Sequence, residues 1–210
     1  DGSPCLHARR DDPADSRHPP AHRRNAGCAS QRRKVRLGEL GVDPSTTSIN
    51  VREPTLIVES GVASISVGYG HTHFTKFDGS LWGCGANTNG QLGDGTVTAS
   101  TTPVAVSLPS GRTAASVAGG NYHTCAVLDD ASLYCWGWNG YGQLGDGTTT
   151  NSNTPVAVSL PSGRTATSVD AGGWHTCAVL DDASLYCWGN NGYGQLGDGT
   201  TTQSTTPVAV

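Results

Sequence analysis

From Gly38 onward, short apolar runs alternate with clusters of Gly, Asn, Asp, Ser and Thr. In one stretch the runs fall at about Ala114–Ala118, His123–Leu128, Ser132–Trp136 and Pro155–Ser159. β-Branched and aromatic residues fill them and turn residues separate them, so each is expected to be a strand. No segment carries the 3.6-residue spacing of a helix over a useful length. Thr124-Cys125-Ala126-Val127-Leu128 is apolar at nearly every position. A strand of that kind is expected to be covered on both faces.

The pattern has a fixed step. Gly90–Gly95 (Gly-Gln-Leu-Gly-Asp-Gly) returns as Gly142–Gly147 and as Gly194–Gly199, 52 residues apart each time. His123–Gly137 is repeated letter for letter as His175–Gly189, and Thr102–Ala114 as Thr154–Ala166. Four short strands per unit, with no helix, predict an all-β propeller of four-stranded antiparallel blades. The expected organisation is the end of a partial repeat at 37–65, repeats at 66–115 and 116–167, and a truncated repeat at 168–210. That makes an open arc of about three blades plus a partial one. The chain has no Met, and the last copy stops at Val210 where earlier copies continue with Ser-Leu-Pro-Ser-Gly-Arg. Both features read as a fragment of a longer chain, whose remaining blades would be its first partners.

Charge separates the ends of the chain. Residues 1–36 hold nine Lys and Arg against four Asp, and residues 37–210 hold four against thirteen acidic residues. The first segment is too poor in apolar residues to offset its ordering entropy. It reads as a disordered basic tail or a non-native segment, with a basic arm for nucleic acid or anionic lipid as the alternative. The acidic repeats repel nucleic acid, so no nucleic-acid partner is expected for them. No apolar run is long enough to be a membrane span.

Cysteine carries the clearest chemistry. Cys125 and Cys135 flank an Asp-Asp-Ala turn, as do Cys177 and Cys187. If Leu128 faces Ser132 across that turn, Cys125 faces Cys135 in a non-hydrogen-bonded pair, close enough for a disulfide. Disulfides Cys125–Cys135 and Cys177–Cys187 are therefore expected, and with them an oxidising compartment. The alternative is pairs of small buried thiols. The first copy departs from the pattern. His73 and Gly83 hold the cysteine positions, and Cys84 stands where Trp136 does. Cys5, Cys28 and Cys84 have no inferred partner.

His71, His123 and His175 fall at one repeat position, each followed by Thr. One histidine per repeat reads as a hydrogen-bonded scaffold residue rather than a catalyst. The Asp-Gly of each Gly-Gln-Leu-Gly-Asp-Gly is a turn signal. It lacks the Gly-Lys-Ser/Thr of a phosphate loop and the acidic ladder of a calcium loop. No catalytic residue, metal ligand or cofactor site is expected. The positions that vary between near-identical copies lie in loops at one end of the hairpins. Several are aromatic: Tyr69, Tyr122, Trp138, Tyr141, Trp174 and Tyr193. These are the candidate partner-binding residues, and ordinary loop variation is the competing reading.

A Gly, then His-Thr, a strand, Asp-Asp-Ala or Asp-Gly, Ser-Leu-Tyr or Ser-Leu-Trp, Trp-Gly, Asn and Gly-Gln-Leu-Gly-Asp-Gly together resemble the regulator of chromosome condensation repeat. The resemblance covers residues 38–210. It implies a seven-bladed β-propeller, of which this chain holds about half. The form resembles the bacterial-type, alpha-tubulin-suppressor-like members, which implies a non-enzymatic module binding an unknown protein or surface ligand, secreted or in the cell envelope. Inhibition of a secreted enzyme is one implied alternative. Another is guanine-nucleotide exchange on a small GTPase, as in the founding member; the cysteine pairs and acidic repeats speak against it.

Overall fold

A computed structural model describes residues 56–210. The tail at 1–36, with Cys5 and Cys28, and most of the partial repeat lie outside the described residues. The remainder forms twelve strands in three four-stranded sheets, and no helix occurs among the described residues. The first sheet comprises β1 (Val62–Val67), β2 (His71–Lys76), β3 (Leu81–Gly85) and β4 (Ser100–Ala105). The second comprises β5 (Ala114–Gly119), β6 (His123–Leu128), β7 (Leu133–Gly137) and β8 (Ser152–Ala157). The third comprises β9 (Ala166–Ala171), β10 (His175–Leu180), β11 (Leu185–Gly189) and β12 (Ser204–Ala209). Each sheet is an antiparallel meander in chain order. β1 and β2 pack against β5, and β5 and β6 pack against β9.

Three of the four strands expected in the middle sheet lie within a residue of their predicted bounds. The fourth, β8, begins and ends earlier than Pro155–Ser159 and holds Pro155 in its interior. It is an edge strand, where the missing proline N–H breaks no ladder bond.

The core lies between the sheets. Leu81, Ala126, Leu128 and Trp136 fill the first joint, and Cys125, Val127, Leu144, Leu180 and Trp188 fill the second. Identical sequences therefore meet different surroundings. His-Thr-Cys-Ala-Val-Leu is buried at all six positions in β6 but alternates between half-buried and buried in β10. Among the described residues, the middle sheet is covered on both sides, and the third is covered by the second alone.

The hairpin turn sets the register. Leu128 N donates to Ser132 O at 2.9 Å, and Ala131 takes φ 63° in the three-residue loop. Cys125 then faces Cys135, and Cys177 faces Cys187. Both pairs form disulfides, with S–S distances of 2.11 and 2.14 Å and Cα separations of 4.0 and 4.1 Å. That is a little closer than the ~4.5 Å usual for such a pair. In the first sheet His73 faces Gly83 at the same register.

Candidate functional site

The repeated loops wire each blade to the next. Thr124 Oγ1 donates to the Gln91 carbonyl at 3.0 Å, and Trp136 Nε1 donates to the same oxygen at 2.9 Å. The next joint repeats this with Thr176, Trp188 and the Gln143 carbonyl, both at 2.9 Å. Gly145 makes the second contact possible: its φ is +70°, and a Cβ there would lie 2.6 Å from Trp188 Nε1. Asn139 braces the loop from inside. It is fully buried, its Oδ1 accepts from Leu144 N, and its Nδ2 donates to Asp146 and to the Thr148 and Thr150 carbonyls. Asp146 closes the turn by accepting from Thr148 N at 2.9 Å. Asn87 and Asn191 repeat this role.

The histidines join the same network. His71 Nε2 lies 3.0 Å from Thr124 Oγ1, and His123 Nε2 lies 2.9 Å from Thr176 Oγ1. Each threonine's single hydroxyl proton is already given to a glutamine carbonyl, so the histidine must donate. His71 and His123 are therefore neutral, with the proton on Nε2. Burial lowers the pKa of His71 to about 4 and of His123 to about 3. His73 also falls to about 3, first by burial and then by the neighbouring His71, opposed by the Leu92 backbone, and neither ring nitrogen makes a well-aligned hydrogen bond. Its ring lies over Gly83, where the other blades carry a disulfide. Among the described residues no group of three or more His, Cys, Asp or Glu is placed to hold a metal ion.

Five of the six candidate aromatics come together at the end of the blades where these loops emerge. Trp174 is central. Its ring centroid lies 4.9 Å from Trp138, 5.2 Å from Tyr122 and 6.1 Å from Tyr141. Trp138 meets Tyr141 edge-on at 5.1 Å, and Tyr69 meets Tyr122 at 5.8 Å. All three blades contribute. Tyr69 is exposed, and the other four are half-buried. Backbone bonds hold the bearing turns side by side: Tyr69 N donates to Gly120 O at 3.2 Å, and Asn121 N donates to Gly173 O at 3.3 Å. Trp138 lies flat over Gly140, where a Cβ would come within 2.3 Å of the indole. Tyr193 does not join the cluster and is 96% exposed. Its counterpart Tyr141 rests on Trp174 of the following blade, and Tyr193 has no such ring beside it among the described residues. Sequence reasoning missed the buried Asn87, Asn139 and Asn191, which look like ordinary turn residues. Their signal was recurrence at fixed distance before Gly-Gln-Leu.

Family models of the regulator of chromosome condensation (RCC1) repeat match residues 78–127, 130–179 and 182–210, and a second form of the model matches 62–91, 114–143 and 166–195. The chain is 31% identical over 175 residues to the ultraviolet-B receptor UVR8 of Arabidopsis thaliana, covering 83% of this chain and 40% of that protein. It is 31% identical over 179 residues to the mitochondrial RCC1 domain-containing protein RUG3 of the same plant, covering 82% and 40%. Among solved structures, yeast RCC1 (Prp20) bound to Kap60 superposes with a TM-score of 0.73 at 22% identity, covering 84% of this chain and 43% of that one. The chain thus spans less than half the length of these relatives.

Proposed function

Since the chain belongs to the regulator of chromosome condensation repeat family, we propose that it is a non-enzymatic propeller module that grips a protein partner with the aromatic end of its blades. One observation carries the reading: Tyr69, Tyr122, Trp174, Trp138 and Tyr141, drawn from three blades, form one continuous surface on turns tied together by backbone bonds. Large aromatic rings on a rigid base supply contact area at low entropic cost, which is what binding anchors require. The two disulfides support a protein that works in an oxidising compartment, outside the cell or in its envelope. The fold likeness to yeast RCC1 (Prp20) adds nothing on exchange activity, because it rests on low identity.

The test is site-specific photocrosslinking in the native secretome. A crosslinker at Tyr122 should capture a discrete protein, and one at Ser162 on the opposite end should not. W138A/W174A should abolish the capture while leaving the circular dichroism unchanged. Equal capture from both ends would end the proposal.

A further inference from the structure

The described residues contain only three cations, Lys76, Arg112 and Arg164. All sit at the blade end remote from the aromatic cluster, and all are committed there. Lys76 Nζ lies 4.6 Å from the Trp82 ring centroid. Arg112 pairs with Asp130 at 2.7 Å, and Arg164 with Asp182 at 2.8 Å. Among the described residues, the Asp, Glu, Lys and Arg side chains at the aromatic end are all acidic. Asp94, Asp146 and Asp198 close its loops, and the exposed Asp170 stands near the end of β9, beside the turn that bears Trp174. Among the described residues no cation lies over Trp138, Trp174, Tyr122 or Tyr141, the rings on which the inference rests.

Resting on the binding surface proposed above, we infer that its partner presents an extended segment rich in arginine or lysine. Ring faces attract a cation through their quadrupole, and the carboxylates at this end of the described blades add negative potential. The guanidinium group stacks flat on an indole, so arginine is favoured over lysine. An acidic segment would meet like charge from Asp94, Asp146, Asp170 and Asp198.

The experiment uses the whole chain and short synthetic peptides, followed by tryptophan fluorescence and calorimetry. An Arg-Gly repeat peptide should bind, and more weakly as salt rises. A Glu-Gly repeat should not bind, nor should a neutral proline-rich peptide. W138A/W174A should weaken binding at least about tenfold, through the loss of two ring faces. D170K leaves the ring packing untouched and should weaken it about threefold, through reversed charge. Failure of the Arg-Gly peptide to bind, equal binding of the Glu-Gly peptide, or indifference to both variants would overturn the inference. Capture at Tyr122 that persisted in any of these cases would leave the binding surface standing with a partner of other chemistry.

Discussion

The first blade can be given the disulfide that the other two possess. His73 and Gly83 occupy the paired positions, and Gly83 lacks the positive φ that would bar a side chain. What bars one is His73, whose Nε2 would lie 2.6 Å from a Cβ at position 83. H73C/G83C removes the ring and the obstacle together. Closing a loop of ten-residue separation is worth about 3 kcal/mol by chain entropy. The change also removes two buried ring nitrogens that make no well-aligned hydrogen bond. For a chain of this size each kcal/mol moves the melting temperature by about 2–4 °C, so the oxidised variant should melt roughly 6–12 °C above the parent. G83C alone should lose about 1–3 kcal/mol, because its side chain must displace a fully packed ring. Melting curves of parent, single and double variants with and without reductant decide the matter. The reasoning fails if G83C is as stable as the parent, or if the double variant gains nothing from oxidation.

Acid should weaken the joints. His71, His73 and His123 are buried neutral with pKa values of about 4, 3 and 3, whereas unfolded histidine titrates near 6.5. Below ~6.5 the unfolded chain binds more protons, so this stability is complete above that pH and is lost as pH falls toward 3–4, by about 2 kcal/mol per histidine at pH 5. A urea midpoint unchanged between pH 7 and pH 5 would contradict it. W136F should cost about 1 kcal/mol through the lost indole bond to Gln91, and W136F/T124V more than either alone because that carbonyl then loses both donors. Urea titration of the four-member mutant cycle measures this. Thiol titration of the unfolded, unreduced chain should find three free cysteines of seven; five or more would refute the paired state.

Much of this was readable before the fold was known. The turn Asp129-Asp130-Ala131 sets the pairing of Cys125 with Cys135 by counting alone, since strand register follows from loop length. The near-continuous apolar run in β6 announces burial on both faces. What escaped depends on neighbours from other repeats. Tyr141 and Tyr193 stand in the same Asn-Gly-Tyr-Gly turn, but Tyr141 packs on Trp138 of its own loop and on Trp174 of the next blade, whereas Tyr193 has Asn190 in place of the first ring. The repeat step puts His73 and Gly83 at the cysteine positions, but only the fold shows the His73 ring lying over Gly83 in the space that sulfur closes elsewhere. Asn139 reads as a turn residue because its side-chain hydrogen bonds reach residues up to eleven positions away.

The joints have a direction. At each one the earlier blade offers a histidine and a glutamine carbonyl, and the later blade answers with a threonine hydroxyl and an indole N–H. The two faces of a blade are thus unlike, as plug and socket are, and the contact is heterologous in the sense used for subunits. It can be built only head to tail, and a two-fold pair of copies cannot form through it. Set face to face, two like surfaces would bring histidine against histidine, with no hydroxyl between them to take the proton.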